Sequence, residues 1–62
     1  MTVRRRDLIR YLEQNEFYLQ REGGKHSIYT NGRIVVPVKR QRVLDRLIAN
    51  HLCRQAGLTP KF

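Results

Sequence analysis

Apolar residues recur along the chain in two rhythms, and each change of rhythm marks a boundary. Leu8, Ile9 and Leu12, with Tyr11 beside them, follow the i, i+1, i+4 spacing of one helical face, and Arg10, Glu13 and Gln14 fill the other. This predicts a first helix ending near Asn15, a residue that tolerates the left-handed conformation at a helix C-terminus. From Glu16 to Glu22 the period falls to two, with Phe17 and Leu19 on one side and Tyr18 and Gln20 on the other, which predicts a strand. Gly23-Gly24 is expected to supply positive φ for a reversal, after which Lys25 to Thr30 alternates again, Ile28 and Tyr29 facing opposite ways. Asn31-Gly32 is a strong hairpin signal, since a type I′ turn needs positive φ at both central residues, and it leads into a third strand, Arg33 to Val38. Pro37 cannot donate to a ladder, which assigns that strand to a sheet edge with the position facing outward. Leu44, Leu47, Ile48, Leu52 and Ala56 then form a stripe at helical spacing, closed by Gly57 at C′ and by Pro60 beyond it.

The order is αβββα, which predicts an α+β class: a three-stranded antiparallel meander, its middle strand central, with both helices on one face. Sixty-two residues leave room for one domain, residues 1–62, and for one thin layer of buried side chains. A hydrophobic content of 40%, aromatics included, sets the chain apart from a disordered basic tail. Thirteen Lys and Arg against five Asp and Glu give a formal charge of +8, so polyanions are the expected partners. No stretch approaches the roughly 20 apolar residues of a spanning helix, so no membrane partner is expected. The basic N-terminus lacks the apolar segment of an export signal, and the lone Cys53 cannot form an internal disulfide; the expected compartment is the cytoplasm.

Two basic runs stand where folding alone would not put them. Arg4, Arg5 and Arg6 fall at the start of the first predicted helix, and Lys39, Arg40 and Arg42 at the start of the second. A helix N-terminus disfavours cations by roughly 0.3 to 1 kcal/mol each, but free N–H groups surrounded by Arg and Lys make a phosphate site. The alternative is a solvated charged face.

The carboxylates Asp7, Glu13, Glu16, Glu22 and Asp45 show no metal-ligand spacing, so neither a metal nor another cofactor is expected. Cys53 lies mid-helix beside Leu52 and reads as structural. RNA carries its own nucleophile, the 2′-hydroxyl, so its cleavage needs little more than a proton-transfer group and cations to stabilise the phosphorane. Of the two histidines, His51 reads as a surface residue of the second helix. His26 follows Gly23-Gly24-Lys25, and alternation places it with Ile28, at the outer margin of the helix-covered face. Spacing alone leaves His26 open between a structural place and a catalytic one.

The chain resembles the HicA-type toxins, small ribonucleases that cleave mRNA and are held in check by a HicB-type antitoxin. The resemblance rests on Asp7-Leu8-Ile9-Arg10-Tyr11-Leu12-Glu13, on Phe17, and on Gly24-Lys25-His26-Ser27-Ile28-Tyr29 against a pattern of Gly, small residue, His, any, aliphatic, aromatic. It continues through Arg33-Ile34-Val35-Val36-Pro37-Val38 and Leu52-Cys53-Arg54-Gln55-Ala56-Gly57-Leu58. It implies a double-stranded-RNA-binding-domain-like fold, His26 as catalytic histidine on the supporting turn at Gly24, an mRNA substrate, and a cognate HicB-type antitoxin. Lys25 departs from the small residue usual before the histidine, and Leu47-Ile48-Ala49 from the usual Gly-Thr-Leu segment.

Two functions follow as expectations. The first is a metal-independent endoribonuclease, a monomer or weak homodimer when free, in which His26 transfers protons while Lys25, Lys39, Arg40 and Arg42 hold phosphates. The second is a non-catalytic module that binds double-stranded RNA or another nucleic acid by shape, the same cations touching backbone only. A protein-binding role draws only on the exposed edge of the third strand.

Overall fold

The structure, a computed structural model, describes residues 1–62. Its elements run β1 (Thr2–Arg4), α1 (Arg5–Gln14), β2 (Tyr18–Glu22), β3 (His26–Thr30), β4 (Val35–Lys39), β5 (Val43–Asp45) and α2 (Arg46–Gln55). The expected αβββα order stands, with β3 between β2 and β4 in an antiparallel sheet. Flanking it is a second, two-stranded sheet, β1 against β5, which the hydrophobic pattern did not predict. Three residues are too few for a period-two signal; the ladder forms because Leu44, paired with Val3, is drawn into the core.

One apolar cluster holds the two helices to one face of the meander. Leu8 and Leu12 of α1 meet Tyr29 of β3, Val36 and Val38 of β4, and Leu52, Cys53 and Ala56 around α2. Each fully buried Leu or Val contributes about 1.5 to 3 kcal/mol, so few of them can be lost from so thin a core. β4 is an edge strand and Pro37 faces outward on it, as its missing N–H requires.

Several local expectations need correction. The left-handed residue after α1 is Glu16, at φ 69°, and Asn15 keeps a negative φ of −111°. The link from β3 to β4 is no type I′ turn: Thr30 pairs with Val35, leaving four residues outside the ladder. Only Gly32 there has positive φ, at 95°, and the Asn31 side chain accepts from the N–H groups of Arg33 and Ile34. Neither Gly23 nor Gly24 has positive φ. Gly23 is instead required by close approach, since its N–H donates to the His26 carbonyl at 2.7 Å and a Cβ would stand 2.9 Å from that oxygen.

The second helix starts later than expected. Lys39 ends β4, Arg40 and Arg42 lie in the turn that follows, and Asp45 caps α2 by accepting from Leu47 N at 2.8 Å. The second basic run is therefore not a helix N-terminus. Leu47 and Ile48 are exposed, and the buried stripe of α2 is Ala49, Leu52 and Cys53. At the other end the expected C′ glycine holds: Gly57 has φ 76°, its N–H donates to Arg54, and Leu58 N–H donates to Cys53 at 2.8 Å, a Schellman arrangement. The tail beyond it straps the helices together through Tyr11 Oη donating to the Thr59 carbonyl and a two-way bond between Asn50 and Phe62.

Candidate nucleic-acid interface

Side chains in β3 alternate, and the alternation has the opposite phase to the one expected. Ser27 and Tyr29 face the helices, while His26 and Ile28 lie on the open face of the sheet. The apolar Ile28 reads as the inward residue, whereas the inward positions are Ser27, which finds polar partners in Arg5 and Glu22, and Tyr29, whose ring packs in the apolar core.

His26 opens β3 and pairs with Lys39 at the end of β4. Lys25 precedes it, its carbonyl accepting from Arg40 N–H at 3.2 Å. Lys25, His26, Lys39, Arg40 and Gln41 line one cleft of about 410 Å³. Of the residues singled out in the sequence, Arg42 lies outside it, in a neighbouring cleft of about 650 Å³ bordered by Arg4, Arg5, Arg6, Arg40 and Val43. Arg40 borders both, so the two clefts form one cationic surface. Gly24 lines neither, and a Cβ there would meet nothing within 4 Å. His51 is exposed on α2, away from both clefts.

Behind the histidine sits a polar cluster that sequence reasoning missed. Arg5 Nη2 donates to Ser27 Oγ at 2.6 Å, Ser27 Oγ donates to Glu22 Oε1 at 2.7 Å, and Arg5 Nε donates to the Lys39 carbonyl at 2.9 Å. A register shift between Leu19 and Arg21 makes this possible. The bulge at Gln20 turns Glu22 onto the face of Ser27, and turns Arg21 onto the face of Ile28. Arg40 closes the cluster with an ion pair to Glu22 at 3.4 Å and a bond to the Gly23 carbonyl at 3.3 Å. The bonds of Arg5 and Ser27 fix the strand ends that carry His26 and Lys39. Arg5 lies 22 residues from Ser27 in the chain, and only the tertiary structure brings it under that serine.

Two buried groups off the cleft stay protonated. Burial pushes the Cys53 thiol and the Tyr29 phenol up from their ordinary pKa values, so both stay protonated at neutral pH. No three of the His, Cys, Asp and Glu side chains gather into a group that could hold a metal ion, and no helix is long and apolar enough to cross a membrane.

Fold and site together define a small basic α+β domain with a histidine set among cations at one end of an antiparallel sheet. The family model of the HicA toxin of bacterial toxin-antitoxin systems matches residues 5–58, well over half of the chain, and the protein belongs to that family. No curated protein and no solved structure matches it. Family membership carries a toxin role and a cognate antitoxin as partner.

Proposed function

We propose that this toxin is an endoribonuclease that cleaves mRNA without a metal ion, with His26 as its proton-transfer group. The observation that carries this reading is the single cleft in which His26 is flanked by Lys25, Lys39 and Arg40. A lone phosphate cation needs no histidine beside it, and a lone surface histidine needs no cations.

In this reading the 2′-hydroxyl of the substrate attacks the adjacent phosphorus. The bond from phosphorus to the 5′-oxygen breaks, leaving a 2′,3′-cyclic phosphate on one fragment and a 5′-hydroxyl on the other. His26 moves a proton in this step, either taking it from the 2′-hydroxyl while water protonates the departing 5′-oxygen, or giving one to the 5′-oxygen while water takes the 2′-hydroxyl proton. Lys25, Lys39 and Arg40 neutralise the charge that grows on the phosphorane oxygens, where fixed cations stabilise the transition state more than the ground state. Arg42, in the adjoining cleft, holds a neighbouring phosphate. The cognate antitoxin, of the HicB type, covers His26 and the basic surface with acidic groups.

The test is a labelled single-stranded RNA incubated with purified protein in EDTA, beside His26→Ala. Cleavage by the wild type and its loss in the variant supports the reading. Activity that EDTA abolishes and Mg²⁺ or Mn²⁺ restores overturns metal independence.

A further inference from the structure

The open face of the meander carries a surface that the cleavage reading does not use. Register places Tyr18, Thr30 and Val35 in one rank across the three strands, Arg21, Ile28 and Pro37 in the next, and His26 with Lys39 in the last. Tyr18 is 55% exposed and Val35 50% exposed, both large for a strand in a sheet with a covered face. The helices pack on the other side, where Tyr29, Val36 and Val38 are buried. Tyr18, Val35, Ile28 and Pro37 therefore form an apolar and aromatic strip that leads to the histidine, with the buried Thr30 between Tyr18 and Val35.

Its charges all have one sign. Arg21 stands beside the strip, Lys25 and Lys39 bound its histidine end, and Arg33 lies in the turn at the other. No carboxylate occupies these ranks, because the Gln20 bulge sends Glu22 to the opposite face. A surface that offers flat apolar contact in the middle and cations along the rim suits a polymer with apolar plates and an anionic backbone.

Ranks repeat every two residues, or about 6.6 Å at the rise of an antiparallel strand. That step is the scale of one nucleotide in an unstacked strand. From the rank of His26 to the rank of Tyr18 is four residues of β3, about 13 Å.

We infer that the open sheet face binds single-stranded RNA by its bases, with Tyr18 stacking a base two nucleotides from the phosphate at His26. This rests on the cleavage reading and specifies its substrate class. A duplex cannot use the surface, since its bases are paired inward and only its backbone would reach the strip. The substrate is thus an unpaired stretch of message, selected by the need to lay bases on the sheet.

The chain contains no tryptophan, so Tyr18→Trp installs a single reporter at the site. Its fluorescence is titrated with a 2′-O-methylated single-stranded oligonucleotide, which has no free 2′-hydroxyl to attack, and with the same strand annealed to its complement. The expected result is quenching by the single strand at a concentration at least tenfold below that needed with the duplex. Tyr18→Ala should weaken single-strand binding about tenfold, Tyr18→Phe should restore it because the ring does the stacking, and Leu47→Ala on the far helix should change nothing. Equal quenching by duplex and single strand overturns the inference, as does wild-type affinity in Tyr18→Ala. So does a reporter that responds to the antitoxin but not to RNA, which assigns the face to a protein. These are binding measurements on an uncleavable strand, so loss of cleavage in His26→Ala tests the catalytic reading separately.

Discussion

Arg5 is one of three consecutive arginines, and the composition of the run gives it the same expected role as its neighbours; the structure gives it another. Its guanidinium reaches Ser27 Oγ at 2.6 Å and the Lys39 carbonyl at 2.9 Å, tying the start of α1 to the strand ends that carry the site. Arg5→Ala removes both bonds. Hydrogen bonds from a charged group contribute about 1.5 to 3 kcal/mol each, but this side chain is half-buried, and after the change Ser27 still donates to Glu22. The combined loss should therefore fall below the sum of the two, at about 2 kcal/mol. At roughly 0.05 to 0.15 kcal/mol per residue, a domain of 62 residues has only about 3 to 9 kcal/mol to lose. For a domain this small, about 2 kcal/mol lowers Tm by about 10 °C. The assay is thermal and urea denaturation followed by circular dichroism, with Arg42→Ala beside it. Arg42 makes no side-chain bond within the chain, so its removal should leave Tm within a degree or two and weaken RNA binding instead. Arg5→Lys should not recover the loss, because the two bonds leave from separate nitrogens, Nε and Nη2, and a single ammonium nitrogen cannot occupy both positions. An Arg5→Ala protein with unchanged Tm and weakened RNA binding would refute the structural role assigned to it.

In single-turnover cleavage, His26→Ala should reduce the rate by roughly 10²- to 10⁴-fold with little change in RNA affinity, while His51→Ala stays near wild type; an active His26→Ala protein would place the proton transfer elsewhere. Gly23→Ala forces a methyl to within 2.9 Å of the His26 carbonyl and should cost about 1 to 3 kcal/mol in urea unfolding together with activity, whereas Gly24→Ala, with open space around it, should be nearly neutral; equal effects at the two positions would contradict this account of the turn. Burial pushes the Cys53 thiol up, so at pH 8 iodoacetamide should label it only as fast as the chain unfolds, and labelling at the rate of a free thiol would show that it is not enclosed.

Much of the architecture was legible because it depends on period and on special residues. Leu8 and Leu12 read as one helical face and are buried together; Pro37 read as an outward position of an edge strand, and Gly57 as a C′ residue, and each holds for the reason its chemistry dictates. The resemblance to the family was equally visible, since it rests on short patterns at fixed spacing. What failed were readings that depend on which of two equivalent patterns wins. Alternation in Lys25 to Thr30 says that His26 and Ile28 share a face but not which face, and hydropathy chose wrongly because the buried Ser27 is stabilised by Arg5, distant in the chain, while the Tyr29 ring packs in the core.

The same limit governed the basic runs. Local rules made Lys39, Arg40 and Arg42 a helix terminus, and the pairing of Val3 with Leu44 across the whole chain made them a turn beside the sheet instead. Charge, size, helix faces and turn residues are properties of neighbouring residues, so they could be read in order along the chain. Placing Arg5 under Ser27, rotating Glu22 inward with one extra residue, and bringing Arg40 between two clefts required segments 17 to 34 residues apart to meet, and a linear pattern holds no record of such distances.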